Sequence, residues 1–134
     1  MLDDPLVEAV RRIVERFKPK LIILFGSRAR GDWVPGSDYD LLIIGDFTEK
    51  LLDRIDKVLE AIEDLPIPME PHPYTVEGAE KMLLKGNVLI IDALEEGKPL
   101  YIGSPSVYKR LLSLLEMLKK RGLRRSNTSI ILPE

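Results

Sequence analysis

The sequence contains no cysteine and no long apolar run. The absence of cysteine excludes disulfide bonds, thiolate metal sites and cysteine nucleophiles. No stretch of about 18 apolar residues occurs, so no segment has the length that a membrane-spanning helix needs. The first ten residues, MLDDPLVEAV, are acidic and lack the apolar core of a signal peptide. We therefore expect a cytoplasmic protein with no membrane partner.

An excess of charge of one sign is also lacking, because 20 basic residues nearly balance 22 acidic ones. The formal net charge of −2 gives no general attraction for nucleic acid. The segment 109–125 differs, since its only acid is Glu116 and its local charge is +6. It is either a solvated helix face or a surface for RNA, a membrane or an acidic partner. No base-stacking motif accompanies it, so we do not expect nucleic acid as the partner.

The chain is long enough for one domain with a proper core, with 134 residues of which 45% are hydrophobic. Apolar residues recur at helical spacing in several segments, and short continuous apolar runs indicate strands that are buried on both faces. The predicted elements are helices at 5–18, 51–62, 75–85, 87–96 and 105–121, and strands at 21–25, 41–44, 67–74 and 99–102. The segment 87–96 is ambiguous, because VLII favours a strand, whereas DALEE followed by Gly97 favours the helix that we predict.

Strands alternate with helices in this order, which predicts an α/β (α+β) fold with one small mixed sheet flanked by helices. We expect residues 1–134 to form a single domain, in which 105–134 could serve as a partner-binding appendage. The segment 67–74 contains several prolines, so it is predicted to be an edge or bulged strand. The last residues, SNTSIILPE, are expected to dock as an extended segment.

Residue types that cap helices precede most of the predicted helices. A side-chain oxygen at the N-cap accepts a hydrogen bond from an otherwise unpaired backbone N–H of the first turn. The predicted N-caps are Asp4, Thr48, Thr75 and either Ser104 or Ser106, and Ser27 is expected to cap a short helix after the first strand.

The stretch GSRARGDWVPGSDYDLLII, residues 26–44, connects the two buried strands and carries two aspartates one residue apart. Residues i and i+2 of a strand point to the same face, so the carboxylates of Asp38 and Asp40 are expected to project together. Two like charges held side by side repel, and a hard divalent cation removes that cost. The pattern is typical of a magnesium–phosphate site, although alone it also fits a solvated turn with two surface acids.

The start of the same stretch has the residue types of a phosphate-binding turn. Gly26, directly after a buried strand, permits a sharp turn and close approach of a phosphate. Ser27 can donate its hydroxyl, and the first amides of a following helix favour anions. Arg28 and Arg30 can offer guanidinium groups to phosphate oxygens. An ordinary strand–turn–helix corner with exposed arginines is the alternative. Together with the aspartate pair, the turn predicts a site for a magnesium nucleotide.

Gly26-Ser27, ten residues, and then Asp38-Tyr39-Asp40 resembles the signature of the polymerase-beta-like nucleotidyltransferases. The length and spacing are similar to those of the minimal nucleotidyltransferase branch, and the likeness extends over about residues 5–102. The resemblance implies two Mg²⁺ ions held by three carboxylates, with ATP as the nucleotide donor. It places the triphosphate on the turn formed by Gly26, Ser27 and Arg28.

The resemblance also implies a third carboxylate on a later strand, and Glu70 is the candidate because it is the only acid in IPMEPHPY. The family position more often holds aspartate. His72, the only histidine, would share a strand face with Glu70 and is either structural or in contact with substrate or metal. Trp33 either covers the nucleotide or a partner, or anchors the loop.

The resemblance implies a nucleotidyltransferase that transfers a nucleoside monophosphate, AMP from ATP, to a hydroxyl of a partner protein or small acceptor. Minimal members often pair with a helical partner of the HEPN type, in which the nucleotidyltransferase acts as antitoxin. The alternative is a catalytically weak or inactive protein that binds a nucleotide or neutralises such a partner by covering it. Either function is compatible with a homo-oligomer.

Overall fold

The computed structural model describes residues 4–125 and 130–133. The helices in this part of the chain are α1 (Pro5–Phe17), α2 (Ser27–Arg30), α3 (Leu51–Ile62), α4 (Val76–Leu84), α5 (Val88–Glu96) and α6 (Pro105–Lys120). The strands are β1 (Leu21–Phe25), β2 (Tyr39–Ile44), β3 (Met69–Tyr74), β4 (Lys98–Ile102), β5 (Arg124–Arg125) and β6 (Ile130–Ile131). The alternation of helices and strands that the sequence predicted is confirmed.

The main sheet has four strands in the order β3-β2-β1-β4. The central strand β1 is antiparallel to both β2 and β4, whereas β2 and β3 run parallel. The sheet is therefore mixed and flanked by helices, as predicted. All five residues of β1 and the last four of β2 are buried, which confirms that the two apolar runs form strands covered on both faces.

The two faces of the sheet belong to two separate hydrophobic clusters, because successive side chains of a strand point to opposite sides. One face of β2, with Leu42 and Ile44, packs with residues of α4, α5 and α6. The other face, with Leu41 and Ile43, packs with residues of α1 and α3. The sheet is thus the middle of three layers, and its strand ends are the places where polar side chains can emerge.

The proline-rich strand β3 lies at the edge of the sheet, as predicted. Its carbonyl groups at Pro68 and Tyr74 accept hydrogen bonds from β2 neighbours, at 2.8 and 3.0 Å. Residues two apart in a strand point the same way, so the even-numbered residues from 68 to 74 face β2. Pro71 and Pro73 lie between them and therefore direct their missing N–H toward the open edge of the sheet. Consistent with this, the carbonyl of Pro73 accepts from Nη1 of Arg54 at 3.3 Å on the outer side. The prolines therefore remove no hydrogen bond to β2.

Helix caps follow the sequence prediction at Asp4 and Thr75, whose side chains accept from first-turn amides at 2.9 and 3.0 Å. Asn87, which was not predicted as a cap, accepts from the amide of Leu89 at 2.9 Å. Two predictions were wrong. Thr48 is not a cap, because α3 begins two residues later than a Thr48 cap requires and Lys50 occupies the N-cap position. Ser27 is the first residue of α2, and the N-cap there is Gly26, which has no side-chain oxygen.

The basic helix α6 contributes to the core as well as to the surface. Leu111, Leu115 and Leu118 are buried in the cluster that covers one face of the sheet. Ser104 occupies its N-cap position without a side-chain cap bond. The extended tail that the sequence predicted is seen as β6, paired antiparallel with β5, and residues 126–129 and 134 of that prediction lie outside the described residues. Within residues 4–125 and 130–133, no helix has both the length and the apolar character to cross a membrane.

Candidate active site

Three neighbouring strands bring the turn after β1 and two carboxylates together at one end of the sheet. Phe25 at the end of β1 is paired with Asp40 at the beginning of β2, and Asp40 is paired with Glu70 at the beginning of β3. The antiparallel β1–β2 pair and the parallel β2–β3 pair therefore place the turn after β1 beside two carboxylates. These residues are far apart in sequence, and the sheet register alone brings them side by side.

Gly26 makes the close approach between the turn and Asp40 possible. A Cβ atom added at Gly26 would lie only 2.6 Å from Oδ2 of Asp40. The residue also has a φ of 76°, a left-handed conformation that favours glycine. The sequence predicted that glycine here lets a phosphate come close. In the structure, the space that the absent side chain leaves is taken by the Asp40 carboxylate.

Asp40, Glu70 and His72 form a compact group of possible metal ligands. One ligand atom from each residue lies within 4.8 Å of those of the other two. Nε2 of His72 is 3.2 Å from Oδ1 of Asp40, and the His72 ring packs against Phe25 with 5.1 Å between ring centroids. Glu70 is exposed, while the side chains of Asp40 and His72 keep 25% and 16% of their surface accessible. The group is therefore held by packing of His72 on its buried side and is open to solvent at Glu70.

Asp38 lies outside that close group, although it belongs to the same Asp-Tyr-Asp stretch. It precedes the first residue of β2 and is exposed. Tyr39 packs with the cluster on the opposite face of the sheet from Asp40. The structure thus brings Asp40 and Glu70 together with His72, whereas Asp38 stands at the rim.

Arg28 holds the loop between α2 and β2 in place. Its guanidinium lies 4.3 Å from the ring centroid of Trp33 and 4.4 Å from that of Tyr39. Its Nε also donates to the carbonyl of Ser37 at 3.1 Å. A planar cation that contacts two rings is favoured by cation–π attraction, which is worth about 0.5–2 kcal/mol per pair. Trp33 is thereby anchored to the loop through Arg28, while 49% of its surface remains exposed.

Arg30, at the end of α2, is engaged by acidic side chains. Its Nε lies 3.3 Å from Asp32, and its Nη1 lies 3.6 Å from Glu96 at the end of α5. The pair with Asp32 is exposed and contributes little to stability, since solvent screens it. The Glu96 oxygen that faces Arg30, Oε2, is buried. Arg30 is therefore held at the end of α2, and the two acidic side chains partly balance its charge.

The Asp40–Glu70–His72 group fits a divalent cation. Ligands on opposite sides of a small cation are about 4.2 Å apart, given bond lengths of about 2.1 Å. Ligand atoms within 4.8 Å of one another can therefore share one ion after small rotations of the side chains. Two carboxylates supply hard oxygen ligands, and the imidazole adds a nitrogen. Beside them, the turn at Gly26 presents the beginning of α2, which suits an anionic group bridging to the cation.

His72 is the residue whose place in this group the sequence left open. Its spacing of two from Glu70 on one strand was a visible signal for a shared face. The contact with Asp40 was not visible, because it depends on the parallel register between β2 and β3.

Comparison with known proteins gives one family match and a relative of similar length. The description of the matching family is nucleotidyltransferase domain, and the match spans residues 6–101. A protein of Methanocaldococcus jannaschii, named as a candidate protein adenylyltransferase, is 34% identical over 128 residues. That alignment covers 90% of this chain and 85% of the relative. The matched region contains the turn at Gly26 and the whole Asp40–Glu70–His72 group.

Two solved structures share the fold. A crystal structure of a toxin–antitoxin with AMP-PNP superposes with a TM-score of 0.55 and 18% identity, covering 85% of this chain and 87% of that chain. A crystal structure of the toxin–antitoxin MntA-HepT gives a TM-score of 0.51 and 16% identity, covering 87% of this chain and 88% of that chain. At such identities the likeness concerns the fold, and the site is argued from the residues of this chain.

Proposed function

The chain belongs to the nucleotidyltransferase domain family and is a transferase, and from this premise we propose that it transfers AMP from ATP to a hydroxyl of a partner protein. The observation that carries the proposal is the meeting of the Gly26 turn with the carboxylates of Asp40 and Glu70 at adjacent strand ends. The relative named as a protein adenylyltransferase supports AMP as the group transferred and protein as the acceptor.

We assign the nucleotide's triphosphate to the turn between β1 and α2. The backbone of Gly26 and the hydroxyl of Ser27 receive phosphate oxygens, and Arg28 and Arg30 add positive charge along the same helical turn. The cation–π contacts of Arg28 keep this turn and the following loop in one arrangement before the nucleotide binds. Such preorganisation lowers the entropy cost of placing the α-phosphorus beside the carboxylates.

We propose that Asp38, Asp40 and Glu70 would hold two divalent cations, Mg²⁺ by resemblance. Bound divalent cations neutralise the phosphate charge and polarise the reacting oxygens. In the reaction, the acceptor oxygen forms a bond to the α-phosphorus, and the bond from that phosphorus to the bridging oxygen of the β-phosphate breaks. Pyrophosphate leaves with the bonding electron pair. Glu70, the exposed carboxylate, accepts the hydroxyl proton.

We further propose that the acceptor is a HEPN-type toxin and that the chain is its antitoxin. Support comes from the two solved structures of the same fold, both described as toxin–antitoxin structures. The exposed basic residues of α6, including Lys109, Lys119 and Lys120, offer a surface for such a partner. That surface lies on an element whose apolar side is already part of the core, so it can bind without refolding.

The test uses ATP labelled at either the α- or the γ-phosphate, with the product of the adjacent gene as acceptor. Transfer of AMP labels the acceptor from the α position only, whereas a kinase would label it from the γ position. Asp40→Asn is expected to abolish labelling. Asp46→Asn is the matched control, because Asp46 follows the other end of β2, about 20 Å away along the strand. Equal labelling by both variants would refute the assignment.

One feature favours a second candidate, a nucleotide-binding antitoxin without turnover. The third carboxylate is a glutamate, and it is exposed on the edge strand. In that case the protein would bind ATP and the partner in stoichiometric amounts, and no nucleotide would label any acceptor. The Asp40→Asn variant would then weaken nucleotide binding without a change in labelling.

A further inference from the structure

His72 occupies a fixed position beside the carboxylates of the site. Its ring packs against Phe25, and only 16% of its side chain is accessible. The flanking residues Pro71 and Pro73 are buried and restrict the backbone on both sides. The ring nitrogen Nε2 therefore faces Asp40 from a side chain with little freedom to turn elsewhere.

The geometry of this contact is that of two neighbouring ligands of one ion. Adjacent ligands at about 2.1–2.2 Å from an octahedral ion are separated by about 3 Å. The distance from Nε2 of His72 to Oδ1 of Asp40 is 3.2 Å. Glu70, two residues before His72 on the same face of β3, supplies the third ligand atom within 4.8 Å. One nitrogen and two carboxylate oxygens thus lie close enough to share one ion after small rotations of the side chains.

We propose that His72 is a nitrogen ligand of the cation held by Asp40 and Glu70, and that it shifts this site from Mg²⁺ toward transition-metal ions such as Mn²⁺. Mg²⁺ takes oxygen ligands almost exclusively, whereas imidazole suits first-row transition metals. The inference deepens the proposed function, on which it rests for the role of the ion, and it names the metal class that supports transfer.

The single histidine of the chain allows a direct test. The tag-free protein is loaded with Mn²⁺ alone, without nucleotide, and studied by pulsed electron paramagnetic resonance for the nitrogen coupling of a bound imidazole. The wild type is expected to show this coupling, and a sample grown with ¹⁵N-histidine to show the matching isotope change. Because His72 is the only histidine, any imidazole coupling comes from it. A Mn²⁺ spectrum with no imidazole coupling would overturn the proposal.

A second measurement compares the Mn²⁺ and Mg²⁺ affinities of the wild type with those of a variant that lacks the imidazole. The variant is needed because most sites bind Mn²⁺ more tightly than Mg²⁺, so the affinity ratio of the wild type alone does not identify a nitrogen ligand. His72→Gln keeps a polar side chain of similar reach but removes the imidazole. It is expected to weaken Mn²⁺ binding about 10- to 100-fold. Mg²⁺ binding should change much less, so the Mn²⁺/Mg²⁺ preference falls. Asp46→Asn, remote from the group, should leave both affinities unchanged.

An equal loss of both affinities in His72→Gln would instead mean that His72 only orients Asp40 through a hydrogen bond, and would overturn the proposal. The outcome is separable from that of the proposed function. A protein that shows imidazole coupling but labels no acceptor keeps the metal assignment and loses the transferase role. A protein that labels its acceptor but shows no imidazole coupling keeps the transferase role and loses the metal assignment.

Discussion

At the residue scale, the site depends on the absence of a side chain at Gly26. Two independent features require glycine there: the left-handed φ of 76°, and the 2.6 Å that would separate a Cβ atom from the Asp40 carboxylate. Gly31, a few residues later, shares only the first of these. Its φ is 89°, and nothing lies within 4 Å of an added Cβ.

This pair of glycines gives a matched prediction. Gly31→Ala should lose about 1–2 kcal/mol of unfolding free energy, the cost of a non-glycine residue in the left-handed region. Gly26→Ala should lose at least as much, because its φ of 76° and ψ of −160° lie in a region that essentially only glycine adopts. Only Gly26→Ala should also displace Asp40, and we expect it to weaken Mn²⁺ binding at least about tenfold, as for other changes that misplace a ligand. Urea denaturation and metal titration of both variants measure the two effects separately.

Gly31→Ala is the control for strain in this experiment. Should it weaken metal binding as much as Gly26→Ala does, loss of backbone conformation would explain both results. The close packing of Gly26 on Asp40 would then have no special role in the site.

At the scale of elements, an ion network joins α1 to the end of α3. Glu8 accepts hydrogen bonds from Arg11 and Arg12, at 2.7 Å from Nη2 of Arg11 and 2.9 Å from Nε of Arg12. Arg12 continues to Asp64 at 2.6 Å and to the carbonyl of Ala61 at 3.1 Å. The hydrogen bonds from the two arginines lower the pKa of Glu8 from 4.5 to about 2.

The lowered pKa of Glu8 predicts a pH dependence of stability. A carboxylate whose pKa is lower in the folded state stabilises the fold fully above its unfolded pKa, and this contribution is lost as the pH falls through the folded pKa. Wild type should therefore be more stable than Glu8→Gln above pH 4.5, and the difference should close as the pH falls toward 2. Urea midpoints of the two proteins at several pH values in this range measure it.

The exposed Glu116→Gln on α6 serves as the control for removal of one negative charge. A wild-type advantage over Glu8→Gln that stays constant down to pH 2 would contradict the link to ionisation of Glu8. Because the network is exposed to solvent, added salt should reduce the difference at neutral pH.

Elements were predictable where the signal is local. The apolar runs in β1 and β2 and the cap at Thr75 depend on residues close together in sequence, and each was found as expected. The start of α3 was not, because the local preference for threonine as an N-cap favours Thr48, whereas Lys50 occupies the N-cap position.

The site was predictable to a similar degree. The motif identified Asp40 and the Gly26 turn, and the Glu70–His72 spacing was visible in sequence. The contact between His72 and Asp40, and the contacts of Arg28 with Trp33, arise from strand register and loop closure. Such long-range geometry has no signal in a single sequence.

At the scale of the whole molecule, one sheet separates two apolar clusters. The site lies at the end of the strands of this sheet. Because both clusters hold these strands in place, the geometry of the site depends on both of them. The strand β2 links them, since Leu41 packs into one cluster, Leu42 packs into the other, and Asp40 begins the same strand. Both leucines are fully buried.

Substitution of these adjacent leucines tests whether the chain folds as the single domain that we expect. Leu41→Ala and Leu42→Ala should each cost about 2–5 kcal/mol, because each leaves a cavity in a packed cluster. Unfolding should remain one transition, with circular dichroism and the fluorescence of Trp33, the only tryptophan, changing together. The two helical layers pack on opposite faces of the same sheet, so a defect on either side must weaken the same strands. If one variant instead lost helix signal at a urea concentration where Trp33 was unchanged, the layers would be separate folding units. The site would then depend on only one of them.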